Sequence, residues 1–397
     1  SESYFNDQPF LAGLYLHIPF CSQRCSYCDF YFVTTQKSHS GFVEAICREI
    51  SLRGAEFGGF EPLETIYFGG GTPSQLNLSD LGRIIEAINE AFDTSKVVET
   101  TFEINPEDAS PDYLNGLRIL GIDRLSIGIQ SFFDDDLKFM NRIHDAAQAK
   151  SVIDDVRAAG FSNFSIDLIF GVPGQPEEYW SANLEIARSF NVPHISTYNL
   201  TIEEATPLKK QVDRGLVQPV ADEDSTDQFT FTMNYLKGHG FDHYEISSFA
   251  RPGFKAIHNH RYWSHKNYIG VGPSAHSFWW AGLPAKRWSN VKNLRRYEAL
   301  LQQHVAPVDD VEHLSLDTLA DEHIMLRLRT ADGLNLNELE DRYGVDLLSQ
   351  NVQQVADLEE GGFILPIRNQ NVRLTDLGKT ICDNVTARLL PSETPSS

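Results

Sequence analysis

Short runs of β-branched and aromatic residues, separated by longer stretches of helical periodicity, fill the first half of the chain. They are LYLHI at 14–18, TIYFG at 65–69, ETTFEIN at 99–105, RLSIGIQ at 124–130, FSIDLIF at 164–170 and ISTYNLT at 195–201. Between the first two, Val43, Ile46, Cys47 and Ile50 recur at i, i+3, i+4 and i+7, the stripe of an amphipathic helix. Six strand–helix units in succession predict a parallel sheet covered by helices. No dinucleotide fingerprint follows the first strand, which favours a curled, incomplete (βα)6 barrel over an open Rossmann sheet.

Beyond residue 243 the rhythm changes. HYEISSFA reads as a strand, followed by HNHRYW at 258–263 and the glycine-rich YIGVGPSAHSF at 268–278. From about residue 312 the order is three helices, two short strands (FILPI and VRLT) and a helix, which predicts a small winged-helix-like domain. The expected organisation is an α/β partial barrel over 1–242, a barrel extension over 243–311 and the small domain over 312–397. The tail PSETPSS is expected to be disordered.

Parallel sheets of this kind carry their chemistry at the C-terminal ends of the strands. There the first strand runs into CSQRCSYCDF, the second ends in GGGTPS, and the third carries Glu103. The fourth ends in Gln130, the fifth carries Asp167, and the sixth carries Asn199 and Thr201. Polar side chains in apolar strands are costly to bury alone. One such residue could be a core hydrogen-bonding group, whereas several at matching strand ends beside three cysteines point to one site.

Charge narrows the partners. With 33 Lys and Arg against 55 Asp and Glu, the net charge is -22, a field that repels nucleic acid and anionic lipid. Winged helices often bind DNA, but residues 310–397 hold 16 acidic and 7 basic residues, which favours a scaffold or partner-docking role. No apolar run is long enough to cross a bilayer, so at most a transient membrane contact is expected. The opening SESYFNDQPF has no signal-peptide pattern. Five cysteines, three of them clustered, do not form a disulfide framework, and a reducing cytoplasm is the expected location.

Cys21, Cys25 and Cys28 give three metal ligands where a tetrahedral site needs four. One reading is structural zinc completed by His17, a Cys3His set. The other is a [4Fe–4S] cluster on three thiolates whose fourth iron takes an exchangeable ligand. The spacing Cys-x3-Cys-x-aromatic-Cys after the first strand of a βα barrel resembles the radical S-adenosylmethionine (SAM) superfamily. The resemblance implies that SAM chelates the fourth iron and that a reduced cluster, fed by an electron donor, can cleave it to a 5′-deoxyadenosyl radical. It also implies that Tyr15, Tyr27, Gly70, Gly71, Thr72 and Glu103 hold SAM. Gln130, Arg142, Asp167, Thr201 and His276 match further SAM or substrate-cavity positions.

The ordered motifs HIPFC, GGGTPS, EINPE, SIGIQSF, NRIH, DLIFGVPGQ, YEISSFA, HNHRYW and IGVGPSAHSF resemble the oxygen-independent coproporphyrinogen III dehydrogenase group. Two branches of that group differ. The dehydrogenases, which oxidatively decarboxylate their substrate, carry a fourth cysteine where this chain has Phe30, and a longer segment than the 20 residues before Cys21. The HemW-like heme chaperones carry CDF and a His-Asn-x-x-Tyr-Trp motif, here His258, Asn259, Tyr262 and Trp263. The resemblance therefore implies heme binding at those four residues and transfer of heme to acceptor proteins. Alone, HNHRYW could equally be a loop packed by two aromatics with its imidazoles in water. His260 and His265 compete as axial ligands, and Cys47 and Cys382 are expected to be buried apolar residues.

Overall fold

Strand β1, Ala12–Ile18, is buried on both faces, as a central strand of a parallel sheet must be. The computed structural model describes residues 11–34 and 39–390. The opening SESYFNDQPF and the tail PSETPSS lie outside the described residues.

Five further parallel strands follow β1 in chain order: β2 (Leu63–Gly70), β3 (Glu99–Ile104), β4 (Arg124–Gln130), β5 (Asn163–Phe170) and β6 (His194–Asn199). Their register aligns Tyr15 with Tyr67, Glu103 with Ser126, and Asp167 with Ser196. Because successive strand side chains alternate between faces, the two sides differ in chemistry. Leu14, Leu16, Phe68, Phe102, Leu125, Ile127, Ile166 and Leu168 face outward into one apolar core beneath the helices. Tyr15, Tyr67, Glu103, Ser126, Asp167 and Tyr198 face the concave side, where they line cavities.

The helices are built to cover that outer face. In helix His39–Phe57, Val43, Ile46 and Ile50 are buried, while Cys47 is half-buried. Helix Leu78–Ala91 packs beside it through Leu81, Ile84 and Ile88, and its start is fixed by Asn77, whose side chain accepts from the Asp80 amide.

The sheet is extended at both edges. Next to β6 lies an antiparallel pair, β7 (Asp242–Glu245) and β8 (Ser248–Ala250). HYEISSFA is thus a hairpin, not one strand. The Ser247 carbonyl accepts from the Thr197 amide at 2.7 Å, and the Ser247 amide donates to the Glu245 carboxylate at 3.0 Å. Next to β1 come β9 (Tyr268–Val271, parallel), then β10 (His276–Trp279), β11 (Ala285–Asn290) and β12 (Val308–Leu314), all antiparallel. HNHRYW lies on a helix, Ile257–Trp263, and His258 is buried, so its imidazole does not sit in water.

A second apolar core gathers Leu319, Ile324, Leu328, Leu339, Leu358, Val385 and Leu389, with Phe278 and Ala285 from the barrel extension. Its longer helices are Leu316–Leu328, Leu336–Tyr343, Val352–Glu360 and Cys382–Leu389. FILPI and VRLT meet through an Ile364–Leu374 bridge. A further strand at Leu334–Asn335, unforeseen in the sequence, pairs with Asn371–Val372. Cys382 is buried in this core.

Candidate cofactor site

The cysteine loop leaves β1 and returns beside it. The Cys21 amide donates to Val33 O at 3.0 Å, and the Val33 amide to Pro19 O at 2.7 Å. Its outer part is held across the barrel: the Ser26 amide and hydroxyl donate to Met140 O and Phe139 O, both at 3.1 Å, and Asn141 Nδ2 donates to Arg24 O at 2.7 Å. All three thiols are free, partly buried and turned to a cavity of about 770 Å³.

A chain of hydrogen bonds links two of them. Thr72 Oγ1 donates to Cys21 Sγ at 3.5 Å and accepts from Asn105 Nδ2 at 3.4 Å. Arg142 Nη2 donates to Asn105 Oδ1 at 2.7 Å and to Gly128 O at 2.9 Å, and its Nη1 donates to Cys25 Sγ at 3.4 Å. Arg142 and Asp167 therefore do not form a direct ion pair. Gly128 makes room for this convergence: a Cβ there would stand 3.0 Å from Asn105 Oδ1 and 3.1 Å from Gln130 Nε2. Gln130 itself adopts φ +66° at a bulge where β4 ends.

GGGTPS approaches the cysteine loop closely. Gly70 has φ +112°, and a Cβ on it would meet His17 Nδ1 at 2.7 Å. A Cβ on Gly71 would meet Phe20 O at 2.8 Å. His17 is not aimed at the cysteines. Its Nε2 lies 2.9 Å from Tyr31 O, its Nδ1 3.2 Å from the Tyr15 hydroxyl, and burial lowers it to about 4. The Cys3His zinc reading thus loses its fourth ligand.

Two carboxyl groups face the same cavity. Glu103 accepts from the Tyr67 hydroxyl at 2.7 Å and the Gly70 amide at 3.2 Å. Burial, then the Asp167 charge, raises it to about 7. Burial raises Asp167 to about 6. Its Oδ2 accepts from Ser126 at 3.4 Å, while its buried Oδ1 has no hydrogen-bond partner.

Tyr27, Gly70, Gly71, Thr72, Glu103, Gln130, Arg142, Asp167 and Thr201 line this cavity together with the three cysteines and Phe30. Tyr15 and His276 do not. Tyr15 faces a second cavity, its ring 6.1 Å from that of Tyr67, and His276 is exposed on β10.

The second cavity, of about 380 Å³, is walled by His258, Asn259, Tyr262 and Trp263 with Tyr15 and Tyr67. Positions i, i+1, i+4 and i+5 share one face of a helix, so HNHRYW presents four side chains together. Glu103, Tyr198 and Ser247 border both cavities. His258 is fully engaged: Nδ1 lies 2.8 Å from Thr65 Oγ1, Nε2 lies 2.9 Å from the Tyr262 hydroxyl, and burial lowers it to about 3. His265 is buried elsewhere, against Tyr343 and Glu322 at 3.1 and 3.3 Å, and His260 faces Asp332 at 3.5 Å. Neither lines either cavity.

Residues 15–187 match the radical SAM superfamily and residues 314–381 the HemN C-terminal domain. The heme chaperone HemW of Lactococcus lactis is 32% identical over 382 residues, covering 95% of this chain and 96% of that protein. The heme chaperone HemW of Bacillus subtilis is 32% identical over 379 residues, covering 94% of this chain and 98% of that protein. The chain belongs to the HemW family of the radical SAM superfamily. Its fold is also that of the coproporphyrinogen III oxidase HemN from Escherichia coli, a radical SAM enzyme. The TM-score is 0.81 at 23% identity, covering 96% of this chain and 91% of that one.

Radical SAM membership implies a [4Fe–4S] cluster and SAM, and the first cavity fits both. Burial raises the Cys21 thiol, and raises Cys28 to about 11, so thiolates there call for a bound cation. A cluster held by Cys21, Cys25 and Cys28 would supply one-electron chemistry beside the SAM site. Thr72 and Arg142 donate to the cysteine sulfurs, and Glu103 and Asp167 face the same cavity. Asn105, Ser126 and Gly128 are site residues missed in the sequence. Asn105 lay in the EINPE motif, and its position at the end of β3 was the available signal. Among the described residues, no helix is long and apolar enough to cross a membrane.

Proposed function

We propose that this chain is a heme chaperone: it holds a [4Fe–4S] cluster on Cys21, Cys25 and Cys28 with SAM in the first cavity, binds heme against His258, Asn259, Tyr262 and Trp263, and passes heme to acceptor proteins. One observation carries the reading. The four residues of HNHRYW wall one cavity, and that cavity shares Glu103, Tyr198 and Ser247 with the cysteine cavity. Aromatic rings suit a porphyrin face. The names of the HemW relatives support the same function. Phe30, 67% exposed on the cavity wall, stands where the dehydrogenase branch carries a cysteine.

The test is anaerobic reconstitution followed by heme titration and a coproporphyrinogen III assay on the same preparation. Stoichiometric heme binding without decarboxylation is the expected result. Repeated turnover of coproporphyrinogen III with consumption of SAM would establish the dehydrogenase instead.

A further inference from the structure

The C-terminal domain reaches the first cavity. Arg329, the residue that ends helix Leu316–Leu328, and Asp383, in the first turn of helix Cys382–Leu389, both line it. Arg329 is held in place by its backbone. Its carbonyl accepts from the Ile246 amide at 3.0 Å, and the next residue, Thr330, bridges to Glu245. These contacts fix it against the β7–β8 turn, whose Ser247 borders both cavities. The Arg329 charge also acts on Glu245, which lines the second cavity and is otherwise raised by burial.

The surrounding charge makes Arg329 unusual. Among the described residues lining the two cavities, the cations are Arg142 and Arg329, set against Asp29, Glu103, Glu107, Asp167, Glu203, Glu245 and Asp383. Arg142 is committed to Cys25, Asn105 and Gly128. Arg329 has one side-chain ion-pair partner, Asp383, which is 81% exposed. The Arg329 side chain is itself 28% exposed, so the contact is screened mainly on the Asp383 side, where another carboxylate can take its place. A guanidinium is the group best shaped to take a carboxylate through two parallel hydrogen bonds.

We propose that Arg329 binds a propionate carboxylate of the tetrapyrrole where the two cavities meet, making the C-terminal domain part of the ligand site. This rests on the heme reading above. SAM also carries a carboxylate, and the experiment separates the two sources. Heme and heme dimethyl ester, in which both propionates are blocked, are titrated into the reconstituted wild type, Arg329→Gln and Asp383→Asn, with SAM titrated in parallel. Arg329→Gln is expected to weaken heme about tenfold and leave the diester and SAM unchanged. Asp383→Asn, which removes the competing carboxylate, is expected to tighten heme. Circular dichroism and Tm of each variant report on folding. Equal loss for heme and diester, or no loss for either, overturns the proposal while the heme reading stands. Weakened SAM with unchanged heme assigns Arg329 to SAM and also overturns it. Wild-type protein that binds neither tetrapyrrole overturns both.

Discussion

The Tyr67 hydroxyl donates to Glu103 Oε1 at 2.7 Å, joining a wall residue of the second cavity to a carboxyl group that borders both. The Gly70 amide holds the other oxygen. Neither donor carries charge, and Tyr15, Asp167, Tyr198 and Tyr262 also act on this carboxyl group or are acted on by it. Burial and the Asp167 charge therefore favour the protonated form of this group, and a cation placed against it would favour the carboxylate.

That gives a pH signature. The unfolded chain ionises Glu103 near 4.5, while the folded chain keeps the proton up to about 7. The associated stability is present below the unfolded value and is lost as pH rises through the folded one. Glu103→Gln keeps a neutral group that accepts from Gly70 and donates to the Tyr67 hydroxyl. Above neutral pH the ligand-free variant should therefore be more stable than wild type, by ~3 kcal/mol, with the difference vanishing near pH 4. Urea melts at several pH values check this. In wild type, SAM binding should tighten as pH rises through about 7, because an ammonium or sulfonium favours the carboxylate. In Glu103→Gln it should be weaker and lose the step near 7.

The three clustered thiols differ from the other two in what surrounds them. Cys21 and Cys25 accept from Thr72 and Arg142 on a cavity wall, whereas Cys382 is packed in an apolar core and half-buried Cys47 lies against Arg83 O at 3.8 Å. Ala at Cys21, Cys25 or Cys28 should abolish a stoichiometric cluster, read as iron and sulfide content after reconstitution. Ala at Cys47 or Cys382 should leave both contents unchanged. Zinc at full occupancy with no SAM-dependent change in the reduced cluster's EPR spectrum would restore the zinc reading.

A buried carboxylate far from the ligands ties the barrel to its extension. Glu49 accepts from the Gly272 amide, Asn290 Nδ2 and the Tyr297 hydroxyl at 2.7–2.8 Å, with Arg53 at 3.5 Å. Glu49→Ala leaves three buried donors unmet, each at a cost of roughly 1–3 kcal/mol, while Arg53 keeps Glu56 at 3.2 Å. The expected result is a large fall in Tm, with SAM affinity unchanged at temperatures where the variant is folded.

The barrel was legible because its strands are mostly apolar on the outer face, while Glu103, Ser126 and Asp167 interrupt the concave one. Glu103 and Asp167 stand out for that reason. The β7–β8 reversal was not, since HYEISSFA contains no glycine or proline to break it and its turn is made by Ser247 backbone groups meeting Thr197 and Glu245. Nor was the HNHRYW helix. It is seven residues long, and its N-terminal amides at Ile257 and His258 are satisfied by the distant Glu99 carboxylate at 2.9 and 2.8 Å. No local capping residue announces it. Arg329 reaches the cavity only because two domains pack together, which local periodicity does not encode.

His258 is the histidine of HNHRYW that walls the second cavity, and its contacts decide how heme ligation must be tested. Its Nδ1 meets Thr65 and its Nε2 meets the Tyr262 hydroxyl, so neither nitrogen is free for iron until a partner is displaced. Removing the imidazole would also strand the Thr65 hydroxyl and open a hole beside Tyr67, so a loss of heme binding in His258→Ala alone mixes ligation with damage. Tyr262→Phe separates the two. It frees Nε2 while keeping the ring that walls the cavity. If His258 ligates heme, Tyr262→Phe should bind heme more tightly, by a few-fold, and keep the wild-type Soret position, because no hydroxyl has to be displaced. His258→Ala should shift the Soret band. An unchanged Soret band in His258→Ala, with Tyr262→Phe no tighter than wild type, would make His258 a positioning residue for Tyr262 and leave iron to another ligand.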